Sequence, residues 1–158
     1  MTEGILAFLK KAIKEGVVIK QTAPNVIWPI IEEVVRAQHN SKPVHSADEM
    51  QKLQDKFPNN IVCWSADLDG EALACVVTFI TRNVVHAQYI ANSETGRKIG
   101  ALDLLFTELI TKFYKDWDYF DFGISTENEG KHLNGGLINQ KQGFGGRGIA
   151  HEFFRLDK

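Results

Sequence analysis

Apolar residues recur at helical spacing through the first third of the chain. Ile5, Phe8, Leu9, Ala12 and Ile13 form one stripe, with Lys10, Lys11 and Lys14 on the opposite side and Gly16 as a stop, and this predicts a first helix. Val17 to Ile19 reads as a short strand. Asn25 is placed to cap a second helix whose stripe is Val26, Ile27, Ile30, Ile31, Val34 and Val35, with Pro29 accommodated in its first turn. Ser46-Ala47-Asp48-Glu49 has the spacing of a capping box. It opens a helix that carries Met50 and Leu53 and ends at Phe57-Pro58.

From Ile61 the texture changes to β-branched and aromatic runs: 61–66, 73–81 and 84–91, separated by Asp69-Gly70 and Arg82-Asn83. Such runs predict an antiparallel meander. Leu102, Leu105, Phe106, Leu109, Ile110 and Phe113 then mark a helix from about Gly100 to Tyr114, followed by a strand over 119–125. A strand, helix, strand unit must cross over, so 84–91 and 119–125 are expected side by side and parallel in a mixed sheet. Eight of the 13 glycines lie between Gly123 and Gly148, where the backbone either makes tight turns or comes close to another group. A short helix over 137–142 and a last strand over 149–156 fit among and after them.

Length and charge narrow the function classes. With 158 residues the chain corresponds to one domain, 1–158, and can bury a real core. A formal charge of −2 supplies no positive field to hold a nucleic acid, so DNA is not an expected partner. The apolar stretch Ile5 to Leu9 is too short for a signal-peptide core or a membrane span, which makes the cytoplasm the expected location, with no membrane partner. Cys63 and Cys75 fall on facing strands of one hairpin, as buried free thiols or as a cross-strand disulfide. The five histidines and two cysteines have no zinc-ligand spacing, and neither a Gly-x-Ser-x-Gly elbow nor a phosphate-binding Walker loop occurs.

The order of elements, with Gln140-Lys141-Gln142-Gly143-Phe144 closing the last helix, resembles the GNAT family of acyltransferases from about Asn25 onward. Four segments carry a narrower resemblance to a bacterial GNAT subgroup related to FemAB-like proteins: His86-Ala87-Gln88-Tyr89-Ile90-Ala91, Asp121-Phe122-Gly123-Ile124-Ser125, Leu133-Asn134-Gly135-Gly136-Leu137-Ile138 and Gln140 to Gly145. Members often carry two lobes, and this chain is similar to the C-terminal one, with residues 1–24 as an N-terminal extension. The resemblance implies an α/β (α+β) fold whose mostly antiparallel central sheet has two splayed parallel strands and flanking helices. It implies acetyl-CoA as acyl donor, its pantetheine entering between the strands and its pyrophosphate meeting a helix N-terminus. The corresponding residues are Tyr89, Ile90 and Ala91 on the strand, then Ser93, Gly96, Arg97, Lys98, Ile99, Gly100 and Ala101 in the turn. Three positions depart from the pattern, one of them Thr95, which stands at the usual Gln or Arg position of the phosphate loop. Lys98 stands where the first glycine of the phosphate loop is usual, and Asn139 where the family's frequent Tyr general acid stands.

Acyl transfer of this kind needs a neutral amine, a donor for the developing oxyanion and a proton for the leaving thiolate. A backbone amide at Tyr89 to Ala91 corresponds to the oxyanion donor. Strand alternation puts Val84, His86, Gln88 and Ile90 on one face, and Asp121, Gly123 and Ser125 on a face of the neighbouring strand. His86 is the natural base, since imidazole ordinarily titrates near neutrality, with Asp121 to orient it or to hold an amine and Ser125 beside them. His86 can equally be a structural hydrogen-bonded residue and Asp121 a brace for the glycine-rich segment. Gln88, Asn134 and Lys141 are further substrate contacts; local turn bonding for Asn134 and a solvated position for Lys141 are the alternatives. Glu127 and Glu129 offer a water-linked base or a solvated loop pair.

These readings converge on an acetyl-CoA-dependent N-acetyltransferase acting on a small-molecule or cell-wall or sugar-type amine by direct attack on the thioester. Two alternatives remain: aminoacyl transfer from a charged tRNA, as in FemAB-like relatives, and a non-catalytic binding lobe that packs on a partner lobe or a second copy.

Overall fold

The structure is a computed structural model and describes residues 1–152, 154 and 156, apart from the side chains of Gln38 and His39. Five strands form one mixed sheet in the order β1-β2-β3-β4-β5: β1 (Val18–Thr22), β2 (Ile61–Leu68), β3 (Glu71–Ile80), β4 (Val84–Asn92) and β5 (Tyr119–Asp121). The first four are antiparallel neighbours and β5 lies parallel to β4, so the predicted crossover is present. The β2–β3 turn is Asp69-Gly70 with φ of 52° and 86°, the left-handed pair that a tight two-residue hairpin requires.

Helices cover both faces. On one, α2 (Pro24–His39) and α3 (Ala47–Lys56) bury Ile27, Trp28, Ile31 and Met50 against Ile61, Cys63, Cys75, Val77 and Ala91. On the other, α5 (Ala101–Glu108) packs Leu102, Leu105 and Phe106 on Trp64, Val76, Val85 and Ala87, and α1 (Glu3–Glu15) lies against α5 through Ala12. Phe106, Phe120, Phe122 and Phe144 form an aromatic group that ties α5 to β5 and to the end of α6 (Gly135–Gly143). Among the described residues no helix is long and apolar enough to cross a membrane.

Several boundaries differ from the periodicity. The cap of α2 is Ala23 rather than Asn25, because Pro24 presets the first helical φ, and Pro29 then lies inside the helix instead of in its first turn. The Ser46 capping box forms as expected, with the Glu49 N–H donating to Ser46 Oγ at 3.3 Å and the Ser46 N–H to Glu49 Oε2 at 2.8 Å. Residues 93–114, read as a loop and one helix, are a six-residue helix α4 (Glu94–Ile99), a break at Gly100 with φ 81°, α5, and a π-helical turn Leu109–Phe113. The second parallel strand stops at Asp121 instead of Ser125; a hairpin of β6 (Thr126–Glu127) and β7 (His132–Leu133) follows. Of the expected last strand, 149–152, 154 and 156 carry no strand pairing, and Ile149, Phe154 and Leu156 are exposed; Phe153 and Arg155 lie outside the described residues.

Cys63 stands opposite Val77 and Cys75 opposite Ser65, so the two thiols are out of cross-strand register. Both are free and buried, and burial pushes each up to about 12.

The π-helical turn has a packing consequence. Tyr114 donates its N–H to Leu109 O at 2.8 Å, five residues back, which turns its ring into the core. There Trp64 Nε1 donates to the Tyr114 hydroxyl at 2.9 Å. Thr78 Oγ1, whose single hydrogen goes to Val62 O at 3.1 Å, accepts from Tyr114 at 2.9 Å. Every polar atom of this buried chain is satisfied. Tyr114→Phe keeps the ring but strips the Trp64 N–H of its acceptor, and should lower the unfolding free energy by about 1–3 kcal/mol. Urea titration of the variant checks this; a change below about 0.5 kcal/mol at unchanged slope contradicts it.

Candidate active site

The site begins with unequal pairing along β4. Every residue from Val85 to Asn92 except Gln88 has a partner on β3, whereas β5 pairs only with Val84, Val85 and His86. From Ala87 to Asn92 the other edge of β4 carries no strand among the described residues. The last parallel pair before the strands part is His86 with Asp121. Gln88 is an extra residue in the ladder: Thr78 faces Ala87 and the next residue back, Val77, faces Tyr89.

This bulge changes which residues share a face. Val85 and Ala87 look toward α5, and after the bulge so does Ile90, whereas His86, Tyr89 and Ala91 look toward α2. Simple alternation, which groups His86 with Gln88 and Ile90, therefore fails after His86. Gln88 itself is exposed at the bulge.

At the fork His86 Nδ1 lies 2.7 Å from Asp121 Oδ2, and the other carboxylate oxygen accepts the Gly123 N–H at 2.8 Å. Burial pushes the Asp121 carboxyl up, but the Gly123 N–H, the His86 ring and the charge of Lys141 outweigh it and hold it below the ordinary range. An ionised carboxylate can only accept, so Nδ1 of His86 carries the hydrogen and Nε2 has the free lone pair. An imidazole oriented in this way can take a proton from an amine.

Gly123, at φ 74°, turns the chain out of the sheet, and a Cβ there would sit 3.7 Å from His86 Cε1. Ser125 is thereby off the strand, so alternation no longer aligns it with Asp121; its carbonyl accepts the Asn134 N–H at 2.9 Å. Asn134 caps α6 with its Oδ1, accepting the Leu137 N–H at 2.9 Å, and donates its Nδ2 to Glu127 at 2.7 Å. Both halves of that amide are in local use. Lys141 donates to Gly123 O at 2.9 Å and Ile124 O at 2.5 Å, fastening α6 to the turn below Asp121. Burial lowers its ammonium pKa, against the opposing pull of Asp121. Glu129 is exposed, 3.5 Å from Lys131.

The turn expected to meet a diphosphate is built differently. Ser93 caps α4 by accepting the Gly96 N–H at 3.0 Å, and Gly96 is buried, where a Cβ would overlap Asn92 Oδ1 and Leu73 O. Lys98 pairs with Glu94 at 2.6 Å, Ile99 packs on the core and Ala101 is buried. Gly100 lies under α1: a Cβ there would meet Phe8 Cβ and Phe8 O at 2.7 Å, and Lys11 donates to Lys98 O at 2.9 Å. At its other end α1 reaches α6, with the Thr2 N–H donating to Gly143 O at 3.0 Å. Between them is a cavity of about 380 Å³ lined by Ile5, Phe8, Asn92, Arg97, Asp103 and Asn139 among others. Burial raises the pKa of Asp103, which sits in the first turn of α5.

The family model described as acetyltransferase (GNAT) domain matches residues 24–130. This chain belongs to the GNAT acetyltransferase family. No curated protein matches it. Solved structures of other proteins share the fold of this GNAT domain, among them the following three. An aminoglycoside acetyltransferase from an uncultured soil metagenomic sample, in complex with sisomicin, is 14% identical with a TM-score of 0.64, covering 92% of this chain and 99% of its own. The aminoglycoside N-acetyltransferase AAC(6')-Iy in complex with CoA is 15% identical with a TM-score of 0.58, covering 90% and 95%. FemX is 9% identical with a TM-score of 0.70, covering 91% of this chain and 54% of its own. Family membership makes this GNAT domain an acyltransferase-type enzyme, with the mixed five-stranded sheet and flanking helices its relatives share.

One group of this GNAT domain escapes sequence reasoning. His45, in the segment between α2 and α3, places Nδ1 2.7 Å from the Tyr89 hydroxyl. The available signal is that a tyrosine on the buried side of a strand needs a partner for its hydroxyl, but nothing in the sequence says which residue supplies it.

The orientation of His86 is testable on its own. With Asp121 as acceptor, nitrogen chemical shifts should report the Nδ1–H tautomer above the imidazole transition. Asp121→Asn, whose amide can also donate, should populate the other tautomer. An unchanged tautomer in the variant contradicts the pairing described above.

Proposed function

We propose that residues 1–158 form one acyltransferase domain, with 1–24 as an extension, that acts in the cytoplasm as an acetyl-CoA-dependent N-acetyltransferase on a small amine of the amino-sugar or cell-wall-precursor type. The FemAB-like C-terminal lobe is the relative we favour within the family. The observation that carries the reading is the parting of β4 and β5 at the His86–Asp121 pair, which leaves strand backbone beside an oriented base. The CoA complex of AAC(6')-Iy, alike in fold, supports acetyl-CoA as donor.

In this reading the backbone at Tyr89, Ile90 or Ala91 donates to the thioester carbonyl and stabilises the oxyanion as the amine attacks. His86 Nε2 takes the amine proton, and Asp121 stabilises the imidazolium that results. Gln88 at the bulge and Ser125 beyond the fork contact the acceptor. Lys141 holds the turn that fixes Asp121, and Asn134 fixes the start of its helix. At the phosphate end Arg97 is the cation facing the cavity, and Ser93, Gly96, Lys98, Ile99, Gly100 and Ala101 meet a diphosphate only where α1 is displaced from Gly100.

Titration calorimetry with acetyl-CoA should show saturable binding. His86→Ala should lower kcat by about 10²–10⁴-fold with the donor Kd within about twofold. Absence of heat at millimolar donor removes acetyl-CoA; unchanged kcat removes His86.

Phe8 over Gly100 favours a second reading, in which the donor does not use this helix end, as with an aminoacyl group carried by tRNA. The two part on one variant. If a diphosphate must displace α1, Phe8→Ala raises the fraction of open protein and should tighten acetyl-CoA by about threefold or more. No heat with wild type or variant, together with transfer of a labelled aminoacyl group from charged tRNA, establishes the second reading instead.

A further inference from the structure

The leaving thiolate needs a proton, and position 139, on the cavity wall, holds an asparagine that has none to give. We propose that Tyr89 donates this proton and that His45 is its positioning residue. The inference rests on the acetyl-transfer reading above.

The bulge at Gln88 turns Tyr89 onto the face that carries His86; their partners on β3, Val77 and Phe79, are two residues apart, so the two lie about 7 Å apart along the sheet. An acceptor amine fits between two proton-carrying groups at that separation, one at each end. A thioester carbonyl received by the backbone of residues 89–91 brings its sulfur, bonded to the same carbon, beside the residue that bears this hydroxyl. Tyr89 is the one ionisable side chain from Ala87 to Asn92.

The Tyr89 ring stands edge-on to buried Trp28, with centroids 5.3 Å apart, and its hydroxyl lies 2.7 Å from His45 Nδ1. With Nδ1–H as donor, the phenolic hydrogen is left free for another acceptor. The charged groups facing the pair are few: Glu49 of α3, tied to Ser46 at 2.8 and 2.9 Å, and Lys52 and Lys56, which share a small cavity with His45. Val77, opposite on β3, and Trp28 on α2 carry no charge.

The step balances. As the C–S bond breaks, its electron pair goes to sulfur, which takes the Tyr89 hydroxyl proton. His45 Nδ1–H returns a proton to the phenolate while Nε2 takes one from water. The proton removed from the amine leaves His86 for water.

Steady-state kinetics of the full chain, with acetyl-CoA and an amine the wild type acetylates, test this. Tyr89→Phe, which keeps the ring on Trp28, should lower kcat by about 100-fold or more with KM for both substrates within about threefold. His45→Ala should lower kcat by about tenfold. The double variant should be no slower than Tyr89→Phe alone, because His45 acts only through the hydroxyl. A Tyr89→Phe enzyme within threefold of wild-type kcat, or multiplying losses in the double variant, overturns the proposal and leaves acetyl transfer standing. A wild type that acetylates no amine overturns both.

Discussion

Strand β4 is paired over its length on one side and over three residues on the other, and this inequality sets the character of the molecule. The short side has a local cause. Asp121 accepts the N–H of Gly123, Gly123 adopts a left-handed φ, and Lys141 takes the carbonyls of Gly123 and Ile124. Groups that a longer β5 would offer to β4 are thus committed to the turn and to α6. The chain leaves the sheet at Asp121 because its backbone partners are elsewhere. What remains is an open strand edge, an oriented imidazole at its start, and an aromatic cluster behind that keeps β5 against α5.

The far end of that edge is a contest between a helix and a ligand. A helix start attracts anions through unpaired N–H groups and its dipole. Here the chain supplies its own answers: Asp103 puts a carboxylate in the first turn of α5, Ser93 takes an amide of α4, and Phe8 lies over Gly100. Lys98, at the position where the family pattern has glycine, is turned to Glu94. Arg97 is the basic group left facing the cavity. In the proposed acetyl-CoA reading a diphosphate reaches this helix end only if α1 gives way. The chief resistance comes from Ile5 and Ala12, which are buried, whereas Phe8 keeps 44% of its surface exposed.

Much of the fold was legible in the sequence, for a reason that also marks where reading stops. Stripes such as Ile27, Ile31 and Val34, or Leu102, Leu105 and Leu109, report burial on one face, and the Ser46 box and Asp69-Gly70 turn report local bonding. Pairing between strands leaves no such trace. The run Val-Val-His-Ala-Gln-Tyr-Ile-Ala contains no glycine or proline to mark a bulge, so alternation carried Gln88 and Ile90 to the wrong place. His86 and Asp121 came together as expected because both lie before the irregularities begin. The C-terminal segment, apolar enough to suggest a strand, lacks a pairing partner among its described residues. His45 was invisible because its partner is 44 residues away.

The two hydrogen-bonded pairs on the α2 face are chemically opposite. In His86–Asp121 the carboxylate fixes the hydrogen on Nδ1 and makes Nε2 a proton acceptor. In His45–Tyr89 there is no such anchor, since a phenol can give or accept, and burial raises the Tyr89 pKa while a hydrogen bond from the His45 backbone opposes the rise. A phenol of that kind stays protonated at neutral pH. In the proposed reaction it therefore holds a proton that can be shared with the thiolate as the C–S bond breaks. One face of one strand thus carries both pairs, brought onto the same side by the bulge, and the proposed reaction uses one to take a proton and the other to release one.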